Sequence, residues 1–343
     1  DIYYQRKQGR SSPVSLIIEA SVQARKIIEQ LLAVKAGEEV IIVCDTATDM
    51  RMAYALAAAV QAVGAEYTIC MIPSRNPGDK STNINKIVES AYQGADVSIG
   101  LTRSSGSSIY NQAIWDRLKA KKIRHCSMVM RDMDNWIKGG ALADYEALYA
   151  EGERLAELWR RGKTIEITSP LGTDLKATIA GEVVYVECGK AHLPGMQMAF
   201  SDGEVSQMPN EGSASGRLVI DGPICYIGSH AEPITLEVAN GKVYSCTGEG
   251  PAARRLKQIL AEVENAANIA EIGIGLNPLS LRNGDFEEEK KARGNVHVAL
   301  GANVSYGGTV YSPVHMDMVI YDATVRIDGK LIVENGTIVF ERE

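Results

Sequence analysis

The sequence predicts an α/β chain in two parts: an N-terminal doubly wound parallel-sheet domain over residues 1–163, then a β-rich α+β domain over 164–343. Three observations predict it. Strand and helix patterns alternate over residues 14–160. After "RRGKTIEITSP" short strands separated by Gly, Pro, Asn and Asp turns take over. Three of those later strands set metal-ligand residue types beside glycine or alanine on one face. A length of 343 residues exceeds what one hydrophobic core usually serves, which suits two domains.

In the first half, "SLIIEASVQARKIIEQLLAV" spaces its apolar residues as a helix does and ends near Gly37. "EEVIIVCD" reads as a buried strand, "MRMAYALAAAVQAVG" as a helix closed by Gly64, and "EYTICMI" as a second strand. "INKIVESAYQG" (helix), "ADVSIGLT" (strand), "IYNQAIWDRLKAKK" (helix) and "IRHCSMVM" (strand) continue the alternation, and "LADYEALYAEGERLAELWRRG" closes it as a long helix. Such alternation implies a parallel sheet with helices on both faces. "CDTATDM" follows the first strand where a dinucleotide fold would carry G-x-G-x-x-G, so no dinucleotide site is expected there. "LTRSSGSS", leaving the third strand, reads as a polar loop.

From residue 164 the strands are "TIEITS", "DLKATIAG", "GRLVIDG", "PITLEVANGKVYSC" and "DATVRIDGKLIVENGTIVF", with "ANGK", "IDGK" and "ENGT" as hairpin turns. One helix, "PAARRLKQILAEVENAA", interrupts them.

Composition narrows the function classes. A net charge of −7 argues against nucleic acid as partner, because phosphate binding needs basic patches. No run approaches the ~18 apolar residues of a membrane span and no signal peptide opens the chain, so a cytoplasmic protein with no membrane partner is expected. Six scattered cysteines without a C-x-x-C pair read as buried free thiols of a reducing compartment.

The three unusual strands carry the functional expectation. Side chains two apart on a strand share a face. In "AEIGIGLNP" Glu271, Gly273 and Gly275 lie together opposite Ile272 and Ile274; in "GNVHVALG" His297, Ala299 and Gly301 lie opposite Val296, Val298 and Leu300; in "VHMDMVI" His315 and Asp317 lie opposite Val314, Met316 and Met318. A face meant only for water would carry Lys, Thr or Ser. Glycine weakens a strand and often marks a close approach to the backbone, so the pattern predicts a floor of small residues edged by ligands. Glu211, in "SQMPNEGSASG", joins them from a loop. Glu, His and Asp together suit Zn, Mn, Co or Fe(II), as two metals sharing a carboxylate or one open metal with acid/base neighbours. His125, His192 and His230 read as structural or solvated.

"MPNEGSASGRLVIDG", "AEIGIGLNP", "NVHVALG" and "HMDMVI" resemble the metal-site motifs of metalloaminopeptidases of the aminopeptidase T and S type. They are also similar to 2,5-dihydroxypyridine 5,6-dioxygenase, an iron(II) relative in the same superfamily. The likeness is dense in motifs over residues 205–322 and architectural before that. The peptidase resemblance implies a homodimer whose matched residues, Glu211, Glu271, His297, His315 and Asp317, bind two divalent ions per subunit. In the dioxygenase the triad is two His and one Asp, with His at the position of Glu271 and an apolar residue at that of His297. The peptidases place a tyrosine where this chain has Val304, with Tyr306 and Tyr311 close by.

The leading expectation from these residues is a two-metal hydrolase acting on an amide or peptide-like bond in a small molecule or short peptide. Glu211, Glu271, His297, His315 and Asp317 would hold the metals, Glu211 or Glu271 would serve as base, and Tyr306 would donate to the oxyanion. The alternative is a dioxygenase that opens a hydroxylated N-heteroaromatic ring, with one Fe(II) on His315, Asp317 and either Glu271 or His297.

Overall fold

The computed structural model describes residues 13–75, 85–104, 112–179 and 183–341. The first sheet is built around the buried Val and Ile run of β1 (Glu39–Asp45), with the more exposed β2 (Glu66–Ile72) at its edge and the buried β3 (Val97–Gly100) and β4 (Arg124–Ser127) on the other side, all parallel in the order β2-β1-β3-β4. The order reverses direction at β1, so the connecting helices cover both faces. These are α1 (Pro13–Arg25), α2 (Met50–Ala62), α3 (Lys86–Ala91), α4 (Gln112–Lys119), the short α5 (Met133–Ile137) and the long α6 (Tyr145–Arg161). Asp49, Asn85 and Asp144 cap α2, α3 and α6 by accepting backbone N–H bonds, which sets where each helix starts. The loop "LTRSSGSS" is described only as far as Ser104; its remainder and residues 109–111 of the following helix pattern lie outside the described residues.

Strands that are antiparallel except for β8 follow: β5 (Thr164–Thr168), β6 (Asp174–Thr178), β7 (Tyr185–Glu187), β8 (Gln197–Ala199), β9 (Glu204–Gln207), β10 (Ser215–Ile220), β11 (Ile234–Ala239) and β12 (Lys242–Thr247). Beyond α7 (Gly250–Glu262) come β13 (Ile269–Gly275), the one-turn α8 (Phe286–Glu289), β14 (Val296–Gly301), β15 (His315–Ile320), β16 (Thr324–Ile327), β17 (Lys330–Glu334) and β18 (Thr337–Ile338). One sheet of eight runs β12-β11-β10-β6-β5-β16-β17-β18, and one of five runs β15-β14-β13-β9-β7. The three expected hairpin turns are present, with both central residues at positive φ: Asn240-Gly241, Asp328-Gly329 and Asn335-Gly336. Positive φ at both positions gives the turn a twist that matches the strands. Among the described residues one strand crosses the division at 163: β8 returns to the first sheet and pairs parallel with β4.

The apolar faces of β13, β14 and β15 (Ile272, Ile274, Val296, Val298, Met316, Met318) belong to the main hydrophobic core. Their other face therefore cannot slip by one residue without exchanging core for ligand side chains, and this pins the register on which the site depends. No helix among the described residues is long and apolar enough to cross a membrane. All six cysteines are free thiols.

Candidate metal centre

The register of the five-stranded sheet explains the small residues. Glu204 on β9 lies opposite Gly275, His297 opposite Gly273, Glu271 and Asp317 on either side of Ala299, and His315 opposite Gly301. Every acidic or imidazole side chain thus has a neighbour with little or no side chain across the strand, which gives it room to lean over the sheet. A Cβ on Gly273 would collide with the His297 ring. A Cβ on Gly275 would strike the backbone of residues 290–292. The glycines are therefore no open floor, as the sequence suggested; they are covered by His297 and by the segment following α8.

The result is a buried cluster. Glu204, Glu271, His297 and Asp317 are each at most 4% exposed. His315 Nε2 is 2.7 Å from Glu271 Oε2 and 3.4 Å from Asp317 Oδ1; His297 Nε2 is 3.2 Å from Glu271 Oε1 and 3.6 Å from Glu204 Oε2. Two groups among the described residues could hold an ion, Glu204–Glu271–His297 and Glu271–His315–Asp317, with Glu271 common to both. Two lysines complete the charge. Lys290 Nζ donates to Asp317 Oδ2 at 2.9 Å and lies 3.6 Å from Glu204 Oε1, while Lys291 Nζ donates to Asp202 Oδ1 at 2.5 Å and lies 3.7 Å from the same Glu204 oxygen.

The protonation states follow from these contacts. Burial alone would depress His315, but the Asp317 and Glu271 carboxylates outweigh it and raise its pKa well above the ordinary histidine range. Burial would likewise favour neutral Glu271, yet the His297 and His315 hydrogen bonds hold its pKa well below the usual carboxylate range. Lys290 is held charged against burial by Asp317, Glu204 and Glu287. Glu187 goes the other way: burial, and then the charge of Glu204, push its pKa well up.

The cluster opens to a pocket between the first sheet and the five-stranded one. Trp115, Tyr185, Tyr226, Tyr306, Val129, Met130 and Met198 line it together with Glu187, Lys290, Glu271, His315 and Asp317. Tyr306 is buried, shares a hydrogen bond of 2.9 Å with Ser206 and stacks near His315 at 6.2 Å between ring centroids. Arg131, which follows β4, fixes the pocket's far side: it donates to Ser201 Oγ at 2.7 Å and to the Glu287 carbonyl at 2.5 Å, and so holds α8 and the two lysines behind it.

Of the residues singled out in the sequence, Glu271, His297, His315 and Asp317 converge and Tyr306 lines the pocket. Glu211 does not join them. It is exposed on its loop and accepts bonds from Asn303 Nδ2 (3.0 Å), Thr309 N (2.6 Å) and Thr309 Oγ1 (2.7 Å). It can be neither ligand nor base here; it ties down the loop that carries Tyr306. Glu204 stands where Glu211 was expected. The signal was available, since "GEVSQ" sets Glu204 and Ser206 on one face with Val205 on the other, the same plan as the other three strands. Lys290 and Lys291 were also missed.

The donor set suits a divalent ion. His315 Nδ1 donates to the Ala302 carbonyl at 2.7 Å, which leaves Nε2, on the cluster side, as the ligating nitrogen. Both Glu204 oxygens and His297 Nδ1 are buried without a hydrogen-bond partner among the described residues, as expected where a positive charge rather than a hydrogen-bond donor is the intended neighbour.

Comparison with known proteins gives the same picture of the fold and changes the chemistry. The family model for NicX, 2,5-dihydroxypyridine 5,6-dioxygenase, matches residues 23–340. The 2,5-dihydroxypyridine 5,6-dioxygenase of Pseudomonas putida is 28% identical over 200 residues, an alignment spanning 54% of this chain and 57% of that protein. The structure of 2,5-dihydroxypyridine dioxygenase from Pseudomonas putida KT2440 superposes with a TM-score of 0.79 at 20% identity, covering 95% of this chain and 98% of that one. AmpT from Thermus thermophilus superposes with a TM-score of 0.67 at 16% identity, covering 94% and 99%. The resemblance of the motifs to the dioxygenase family holds, and AmpT shares the fold. The hydrolase expectation, with its aminopeptidase and metalloprotease character, does not hold: family model and sequence relative both name a dioxygenase, and AmpT shares the fold at greater distance. The peptidase-like ligand pattern misled because carboxylate and imidazole ligands serve both chemistries. An enzyme with a metal cofactor is what the match supports, and the chain belongs to the 2,5-dihydroxypyridine 5,6-dioxygenase family.

Proposed function

We propose that this chain is an Fe(II)-dependent dioxygenase that opens the ring of a hydroxylated N-heteroaromatic of the dihydroxypyridine class. The observation that carries the reading is the Glu271–His315–Asp317 group set at the wall of an aromatic-lined pocket, in a chain of this family. Of the two residues that the sequence offered to complete a triad with His315 and Asp317, we favour Glu271, which forms one three-residue group with them, whereas His297 groups with Glu204 and Glu271. Glu271, His315 and Asp317 would therefore hold the iron, which when bound supplies the one-electron chemistry that lets O₂ react with a closed-shell ring.

The chain's own groups do the rest. Trp115, Tyr226 and Tyr306 offer aromatic faces and edges to a flat ring, and the burial of Glu271 and Asp317 at the pocket wall limits the water around the reacting atoms. Ser206 fixes the Tyr306 hydroxyl, so that its oxygen keeps one position as substrate enters. Glu187, bonded through Oε1 to Gln197 Nε2 at 3.1 Å, has its pKa pushed well up by burial and then by Glu204; in its protonated form it would donate a hydrogen bond to a ring hydroxyl or carbonyl oxygen.

The test is anaerobic reconstitution of the whole chain with Fe(II), followed by 2,5-dihydroxypyridine and then O₂. Stoichiometric O₂ uptake with loss of the aromatic absorbance is expected. Substrate left intact, with no oxygen consumed by the iron-loaded chain, would refute the assignment.

A further inference from the structure

We propose that Lys290 is a fixed cation built into the metal centre, bridging its two carboxylate groups so that the chain takes a single divalent ion on Glu271, His315 and Asp317. The inference rests on reading the cluster as a metal centre and adds what sets its stoichiometry. Two ligand groups sharing a carboxylate form a template for two ions. The Lys290 ammonium, however, already links the two groups: it is 2.9 Å from Asp317 Oδ2 in one and 3.6 Å from Glu204 Oε1 in the other. An ion on Glu204, Glu271 and His297 would lie beside two ammoniums, since Lys291 Nζ is 3.7 Å from the same Glu204 oxygen, whereas an ion on Glu271, His315 and Asp317 meets only Lys290, which bonds Asp317 Oδ2 and leaves Oδ1 without a hydrogen-bond partner among the described residues. Like charges at that separation inside a protein repel strongly.

The lysine is also placed rigidly. Its side chain is 11% exposed, and its backbone carbonyl sits against Gly275, where any side chain would push it away. That glycine lies directly across from Glu204, so the strand bearing the second group's carboxylate and the segment bearing the lysine are fixed by one contact.

The experiment counts ions and reads their coupling independently of turnover. The whole chain is stripped with chelator, equilibrated with Mn(II), and assayed for bound manganese and by electron paramagnetic resonance. One ion per chain with an isolated six-line spectrum is expected for the natural sequence and for Lys290→Arg. Lys290→Met should take up two, with the six-line signal replaced by that of a coupled pair. Two ions in the natural chain, or one in a folded Lys290→Met, would overturn the role of the lysine. No bound manganese at all would instead overturn the metal reading beneath it. If Lys290→Met does not fold, Glu204→Gln decides: the single ion should stay with less than about threefold change in affinity, and loss of an ion overturns the proposal.

Discussion

Replacing His315 with alanine tests the centre most directly, because the imidazole has two distinguishable jobs. With metal present it is a ligand, oriented by its Nδ1 bond to Ala302; without metal its protonated ring is the counter-charge of Glu271 and Asp317. Losing even a group that merely supports a ligand costs 10–100-fold in metal affinity, so losing the ligand should weaken binding by at least about 100-fold. In the metal-free chain, breaking a buried ion pair costs roughly 3–5 kcal/mol. The side chain is 7% exposed, so screening removes little of this, but Lys290 still neutralises Asp317 and His297 still reaches Glu271. About 3 kcal/mol, the low end of that range, is expected. The sign of its pH dependence is fixed. Because the folded pKa of His315 is raised, its stabilising effect is complete below the unfolded value and disappears as pH rises through the folded one. Urea denaturation of both metal-free chains at about pH 6 and about pH 9, followed by tryptophan fluorescence, should show a penalty that shrinks at the higher pH. A penalty independent of pH would refute the imidazolium, and metal content equal to that of the natural chain would remove His315 from the ligand set.

Two further substitutions separate the residues that the sequence placed at the site from those that reach it. Gly273→Ala puts a methyl group into the His297 ring; overpacking of this kind costs roughly 1–3 kcal/mol, and a chain as stable as the original by urea titration would mean that His297 does not lie over that strand. Glu211→Ala should leave metal content unchanged while lowering kcat/KM, because only the loop bearing Tyr306 is released; metal loss measured after dialysis would restore Glu211 as a ligand.

The architecture was legible because it rests on local signals. Helical and alternating periodicities mark α1, α2, α6 and the strands of both halves, and Asn-Gly and Asp-Gly pairs mark the hairpins. The ligand strands were legible for the same reason, since alternation alone places Glu271, His297, His315 and Asp317 on one face. What alternation does not supply is register. Glu211 was drawn in because it follows a turn-rich "MPNE" and stands near the ligand strands in sequence, whereas Glu204, seven residues earlier, is the carboxylate that pairing with Gly275 brings into the cluster. The same gap explains the glycines: read along one strand they suggest an open surface, and only the neighbouring strand shows that His297 covers Gly273.

Lys290 and Lys291 are the sharper case. "FEEEKKARG" has the composition of a solvated helix end, and by local rules a double lysine belongs in water. Both are nonetheless buried, because each term that offsets their desolvation comes from elsewhere in the chain. Asp202 and Glu204 come from β9 and the turn before it, and Asp317 from β15. Arg131, from the first half, clamps the helix that presents them, and Gly275 admits their backbone. Each of these offsets part of the desolvation cost, so the burial of the two lysines is a property of the assembled sheets and no segment of the sequence carries it alone.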